Sequence, residues 1–346
     1  MSSTAVKFLV GAASLVIIAA GLRATAVILM PLVLAVFLSV ITFPLVRRLQ
    51  RRGIHSVVAV IMTLLAVLAV LSGPSVLIVT AIRQFASAVP RYEAGLRALI
   101  ARSLEWLRDR NVDTTTLTAY VDPSQVLNVL VTTLSGVATL LSLAFLVVLI
   151  SAFMLFEAAD IVHRRPLVLP AEVRQHVARI ASQVQTWLWV KTIISFATGV
   201  VAGAWVAMLG VEFALLWGLL TFLLNYIPNL GSIIAAFPPA LLALIQFGPL
   251  TAVLVLVGYV VVNIAFGSFL EPYLMGRRVG LSPLAVLLSV IVFGWMWGIP
   301  GMLLSVPITM TIKIALENSS GDLQWVARLI EGGNREREPS PDRELQ

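Results

Sequence analysis

The sequence predicts an all-α polytopic membrane protein. Of its 346 residues, 59% are hydrophobic and only 12% are charged, whereas a soluble domain has roughly 45–50% and 25%. The mean hydropathy is +0.98, and several uncharged runs reach the roughly 20 residues that a membrane-spanning helix needs. A soluble globule of this size could not bury so much apolar surface, so a bilayer is the predicted solvent for much of the chain.

Composition also excludes several kinds of chemistry. The chain has no Cys and three His, so disulfides, thiol catalysis and a Cys/His zinc site are excluded, and we expect no metal and no cofactor. No lysine lies in a glycine-rich phosphate-binding loop, and no nucleophile–base or paired-acid motif indicates an enzyme. The net charge of +7 comes mainly from Arg in short loops, which indicates membrane orientation and no nucleic-acid partner.

About eight membrane segments follow from the apolar runs. Six lie near 8–22, 24–46, 57–80, 134–156, 192–209 and 250–270. Two further stretches, 213–247 and 282–316, each consist of two arms around a break that contains Pro and Gly, at 226–231 and at 298–301. Arms of about 14 to 18 residues reach only about 21 to 27 Å as helices. They are therefore either tight spans or re-entrant hairpins.

Orientation follows from the basic loop at residues 47–52, which holds four Arg and no acidic residue and is therefore expected in the cytoplasm. This places both termini in the cytoplasm. The predicted regions are three N-terminal membrane segments (1–80), an extracytoplasmic helical region (81–133), a fourth membrane segment (134–157), a cytoplasmic amphipathic helix region (158–191), a C-terminal membrane region with broken helices (192–317) and a partly disordered tail (318–346). In the outer region an apolar stripe from Ile82 to Leu99 could pack on a partner subunit or within the chain.

Charges are scarce between Thr192 and Leu316, where only five occur. A charge near the bilayer centre is costly, so those that remain tend to face protein or a water-filled cavity. Glu271 lies at the end of the 250–270 segment, and two readings stay open for it. It is either a coupling-ion or gating carboxylate, or an interfacial residue paired with Arg277 and Arg278.

The break at 226–231 is the strongest candidate for a substrate or ion pathway. Pro228 and Gly231 interrupt an apolar helix, and Asn225 and Asn229 place amides beside the interruption. Backbone groups released there must be buried in protein or line a cavity, although kinked packing helices are the alternative. Further hinge or close-packing positions are Pro238, Pro272, Gly280, Pro283, Gly298, Gly301 and Pro307. Re-entrant hairpins in these two stretches would open to opposite faces, as in many alternating-access transporters.

These residues also resemble a known family. The segments Asn225–Ser232, Leu270–Gly276, Gly280–Leu284 and Gly301–Pro307 closely resemble the autoinducer-2 exporter family of bacterial membrane proteins. The resemblance implies a permease of the inner membrane that assembles as a homo-oligomer such as a pentameric ring. Some members of that family export autoinducer-2 and others are described as sodium/proton antiporters. Gly267-Ser268 stands where many relatives have Gly-Asn, a local departure.

The resulting functional hypothesis is a secondary transporter that exports a small polar solute such as autoinducer-2, with the lipid bilayer and a small-molecule or ion substrate as partners. A sodium/proton antiporter, a passive channel and a membrane scaffold are the alternatives. Glu271→Gln is expected to abolish transport and leave the protein folded and inserted.

Overall fold

The structure is a computed structural model that describes residues 3–110, 123–164, 171–228, 230–275, 280–317 and 330. The described residues form helices joined by short turns. In chain order the helices are α1 (Ser3–Ala24), α2 (Ala26–Arg51), α3 (Ser56–Arg108), α4 (Pro123–Arg164), α5 (Ala171–Met208), α6 (Ala214–Leu224), α7 (Gly231–Phe247), α8 (Pro249–Asn263), a π-helix (Ile264–Leu270), α9 (Glu271–Met275) and α10 (Pro283–Glu317).

Six helices of the described chain are long and apolar enough to cross a membrane. By length and composition these are residues 26–51, 56–108, 127–159, 177–208, 249–274 and 283–317, and the shorter apolar helices α6 and α7 lie between the fourth and the fifth. The last of the six, 283–317, is interrupted at Gly298 and turns back there. The prediction of an all-α polytopic membrane protein is confirmed. Helices α3 and α5 are longer than the segments predicted from hydropathy. The sequence contains no helix-breaking residue at the boundary of either apolar run, near residue 80 in α3 and near residue 192 in α5, so the helix continues there.

The chain divides into two compact units. The first comprises residues 1–30, 168–188 and 275–346, and the second comprises 31–167 and 189–274. Each is described below by itself.

In the second unit, the part of α3 beyond residue 80 packs within the same chain. Ile82, Phe85, Tyr92 and Leu96 are all at most 7% exposed. Phe85 makes an edge contact with Trp217 of α6, with ring centroids 5.3 Å apart. Of the two readings left open for this apolar stripe, intramolecular packing is therefore confirmed for these four residues.

Helices α6 and α7 form a hairpin in the second unit, as the break in the sequence predicts. Its base is closed where the backbone N–H of Glu212 donates to Oε1 of Gln246 at 3.3 Å. The two ends of the hairpin therefore lie at the same level, and α8 begins directly after Gly248. Its tip, described below, reaches Ser195 of α5, about 20 Å along that helix from its end at Met208.

Small residues allow α6 to approach α5 closely. A Cβ added to Gly218 would lie 2.9 Å from the carbonyl oxygen of Gly199 and 3.2 Å from Cα of Gly203. The two backbones are thus in direct contact, as in membrane helix pairs with small residues four apart. This contact fixes the depth at which the hairpin lies against α5.

Helix α10 of the first unit also reverses direction. Gly298 has φ 65° and ψ −146°, a combination that is accessible almost only to glycine. The two sides of this break contact each other. A Cβ on Gly294 would lie 2.7 Å from the side chain of Met302, eight residues later, whereas a straight helix separates such residues by about 12 Å. At the other end, Nζ of Lys313 donates to the carbonyl oxygen of Gly280 at 2.8 Å, so the ends of this hairpin also meet.

The turn of this second hairpin contacts α1. The indole Nε1 of Trp297 donates to the carbonyl oxygen of Leu22 at 3.1 Å, and the guanidinium of Arg23 lies 4.5 Å from the ring centroid of Trp295. Ser282 caps the first arm by accepting the N–H of Ala285, with Pro283 at the first helical position, where proline is favoured.

Candidate functional site

A row of polar residues runs along one buried face of α5. Lys191, Ser195 and Thr198 are each at most 2% exposed, and their spacing of four and three residues places them on the same helix face. Thr192 is half-buried beside them. In an apolar membrane helix such a row requires partners, because unpaired buried polar groups are costly.

The hairpin tip supplies two of those partners. Nδ2 of Asn225, at the end of α6, donates to Oγ of Ser195 at 3.0 Å. The hydroxyl of Tyr226 donates to Oγ1 of Thr192 at 2.7 Å. Side-chain hydrogen bonds between uncharged amide and hydroxyl groups therefore hold the tip against α5.

A third polar pair lies one helical turn nearer the base of the hairpin. Oγ1 of Thr221 in α6 and the hydroxyl of Tyr259 in α8 are 3.0 Å apart, and both residues are buried. The pair links the hairpin to α8. Together with the two tip bonds it makes a polar ladder between α5, α6 and α8.

Beyond the hairpin tip the ladder ends in an ion pair. Nζ of Lys191 lies 2.8 Å from both carboxylate oxygens of Glu271, and the two side chains are 3% and 21% exposed. Glu271 directly follows the π-helix, a rare conformation that is often found at functional sites. Glu271 thus forms an ion pair with Lys191, a partner that the sequence did not predict. Arg277 and Arg278 lie outside the described residues.

The backbone N–H groups of the break at 226–231 are paired with carbonyl oxygens close to them in the chain. Peptide N–H groups of Asn225, Tyr226, Ile227, Leu230 and Gly231 all donate to carbonyl oxygens between residues 221 and 228, at 2.6 to 3.3 Å. The turn therefore satisfies most of its own donors. The Asn225 amide, by contrast, bonds a residue of the neighbouring helix, and Asn229 lies outside the described residues.

The base of the hairpin carries a separate cluster. One carboxylate oxygen of Glu212 accepts from Arg91 and from the hydroxyl of Tyr92, each at 2.5 Å, and its carbonyl accepts the indole N–H of Trp217 at 2.9 Å. Burial, followed by the hydrogen bond to this carboxylate, raises the pKa of the Tyr92 phenol. The phenol therefore remains a donor at neutral pH. Phe213 adopts φ 60°, a left-handed backbone conformation that is uncommon for a residue other than glycine.

The remaining predicted positions fall into two groups. Pro238 is buried inside α7 and Pro272 is exposed in α9. The others, which belong to the first unit and are not part of the ladder, are Gly280, Pro283, Gly298, Gly301 and Pro307. Within the described residues, no group of three or more His, Asp or Glu could hold a metal ion.

Sequence reasoning missed the α5 side of the site. Lys191 follows Trp187 and Trp189, a pattern typical of a membrane interface, yet its side chain is buried. The spacing of Lys191, Ser195 and Thr198 within an apolar run was the available signal. It becomes informative only when an opposing helix supplies partners.

Broken helices that place polar groups inside the membrane region are a feature of many solute transporters. Comparison with known sequences makes this specific. The sequence model of the family described as "AI-2E family transporter" matches residues 13–321, and the chain belongs to that family.

Three relatives are similar over almost their whole length. The AI-2 transport protein TqsA of Escherichia coli (strain K12) is 39% identical over 95% of this chain and 97% of its own. A putative transport protein of Haemophilus influenzae is 34% identical, covering 93% and 96%. The putative transport protein YhhT of Escherichia coli (strain K12) is 33% identical, covering 97% of each chain. The chain is thus a multi-pass membrane transporter.

Proposed function

We propose that this protein is a secondary transporter that exports a small, uncharged polar solute such as autoinducer-2. The observation that carries the proposal is the attachment of the α6–α7 tip to α5 through hydrogen bonds between side chains. The similarity to a relative named as an AI-2 transport protein supports this substrate.

The proposed binding step is an exchange of hydrogen bonds. Asn225, Ser195, Tyr226 and Thr192 satisfy one another in the solute-free state. A solute with several hydroxyl groups offers equivalent donors and acceptors, so it can replace these bonds at little net cost, whereas an apolar molecule would leave them unpaired. Selectivity for polar solutes follows from this asymmetry.

We further propose that the protein lies in the bacterial inner membrane with both termini in the cytoplasm. The four Arg at residues 47–52 support this orientation. In that orientation the base of the α6–α7 hairpin faces outward, and its tip and the Lys191–Glu271 pair lie toward the cytoplasm. Assembly into a homo-oligomer is part of the same proposal, on the family resemblance alone.

Counterflow in proteoliposomes tests the function. Vesicles loaded with unlabelled autoinducer-2 should accumulate the labelled compound transiently, and parallel assays should measure Na⁺ and H⁺ flux. Asn225→Ala is expected to reduce autoinducer-2 counterflow at least tenfold, because a replaced amide loses about 1.4 kcal/mol or more of solute binding.

Ser75→Ala is the matched control. The Ser75 hydroxyl donates to the carbonyl oxygen of Leu71 within α3 at 2.7 Å, so its loss should leave counterflow unchanged. Unsaturable flux without counterflow would indicate a channel, and Na⁺/H⁺ exchange without autoinducer-2 flux would indicate an antiporter. Absence of every flux in correctly inserted protein would favour a scaffold.

A further inference from the structure

Two features of the Lys191–Glu271 pair, its geometry and its unequal exposure, indicate what the lysine does. Nζ of Lys191 lies at the same distance, 2.8 Å, from both oxygens of the carboxylate, which is the position a cation takes on a carboxylate. The lysine side chain is 3% exposed, whereas that of Glu271 is 21% exposed. The carboxylate therefore has an accessible edge, whereas the ammonium group is enclosed.

We propose that Lys191 is a resident counter-cation that fills a monovalent cation site on Glu271. The lysine comes from α5, and the glutamate follows the π-helix 80 residues later in the chain. The ammonium group is held at the place where a free alkali cation such as Na⁺ would otherwise bind. The protein thus carries its own cation, and Glu271 binds no sodium while Lys191 is present.

Charge and access both favour a monovalent cation as the competing ligand. An anion would have to displace Glu271 to reach the buried ammonium group. A divalent cation that replaced the ammonium would leave one uncompensated positive charge in a region of low dielectric constant. A monovalent cation restores neutrality, and the accessible edge of Glu271 leaves room for further oxygen ligands.

The inference bears on the proposed transport without depending on it. If the cation site is filled internally, Glu271 is not a sodium-coupling carboxylate, whichever solute or ion the chain carries. The test measures cation binding through thermal stability, so it gives the same result whether or not autoinducer-2 counterflow is observed.

The experiment compares melting temperatures of the purified full-length protein in NaCl, in KCl and in N-methyl-D-glucamine chloride at equal ionic strength. The wild type should melt at the same temperature in all three salts. Lys191→Met should melt lower in N-methyl-D-glucamine chloride and recover in NaCl, with a saturable rise of about 2–4 °C. Lys191→Met/Glu271→Gln, which has no carboxylate, should show no sodium-dependent rise.

Two further measurements keep the outcome decisive. Glu271→Gln alone should be destabilised equally in all three salts, because its buried lysine stays unpaired. Lys191→Gln, which keeps a polar side chain, is read in the same way as Lys191→Met if the latter folds poorly. A sodium-dependent rise in the wild type, no such rise in either lysine variant, or failure of both to fold in sodium-rich buffer would each overturn the proposal.

Discussion

Neutralising Glu271 should destabilise the protein far more than neutralising both members of its ion pair. In Glu271→Gln, the ammonium group of Lys191 loses both contacts at 2.8 Å and remains in a site where the lysine is only 3% exposed. Removing one partner of a buried pair costs about 3–5 kcal/mol. Because Glu271 is 21% exposed, we expect a cost near 3 kcal/mol, at the lower end of this range.

The double variant should recover most of this loss. Lys191→Met/Glu271→Gln replaces the pair with uncharged groups of similar length, and such replacements are often neutral or stabilising. Unfolding in a denaturing detergent, compared among the wild type, both single variants and the double variant, gives the coupling free energy. A coupling below about 1 kcal/mol, or a double variant no more stable than Glu271→Gln, would refute the reasoning.

This result changes how a transport measurement on Glu271 is read. The sequence suggested that Glu271→Gln would leave the fold intact, so that lost transport would identify a coupling carboxylate. With Lys191 as its partner, the single variant confounds loss of function with an unpaired buried charge. The double variant is the cleaner probe, because it removes the carboxylate without leaving that charge.

Two other features can be tested in the same stability assay. Gly298→Ala should lower the free energy of unfolding by about 1–3 kcal/mol, because φ 65° with ψ −146° is strained for any residue with a Cβ. Gly231→Ala should lower it at least as much, because the added Cβ would overlap the carbonyl of Leu224, the last residue of α6. Gly73→Ala, at a helical glycine with nothing within 4 Å of its added Cβ, is the control and should be stabilising by up to about 1 kcal/mol, because alanine favours a helix more than glycine does. Equal effects at all three glycines would contradict the hairpin geometry. Tyr92→Phe should cost about 1 kcal/mol at pH 7 through the lost hydrogen bond to Glu212. Because the folded pKa of Tyr92 is raised, the wild type should lose this contribution only above about pH 10. Melting temperatures measured from pH 7 to 11 test this. If Tyr92→Phe left the pH profile of the melting temperature unchanged, the phenol would not stabilise the protein through Glu212.

Much of the fold follows from hydropathy and from helix-breaking residues. The interruptions at 226–231 and at Gly298 were predicted from Pro and Gly within apolar runs, and the structure breaks the helices there. The long helix α3 was harder to predict, because a hydropathy window ends at the membrane boundary and the helix does not. Hydropathy indicates whether a segment lies in lipid or in water, and it does not indicate where the helical backbone hydrogen bonds end.

The site was predicted less completely, since pairing is a property of two segments. Asn225 and Glu271 were recognisable from their rarity in an apolar region. Their partners Ser195 and Lys191 belong to α5, and sequence spacing alone did not indicate which face of α5 would meet the hairpin. Glycines at 199 and 203 bring α6 into backbone contact with α5, and that contact selects the face.

The distribution of bonds along the α6–α7 hairpin indicates which end is free to move. Its base is held by Glu212, which accepts from Arg91 and Tyr92, and by the aromatic contact between Phe85 and Trp217. Its tip is held by two side-chain hydrogen bonds, each worth about 1 kcal/mol, and by the edge contact of Phe222 with Phe196 of α5, whose ring centroids are 6.4 Å apart. A polar solute can replace the two hydrogen bonds but not the aromatic contacts at either end. Solute binding should therefore weaken the attachment of the tip, next to the Lys191–Glu271 pair, and leave that of the base unchanged.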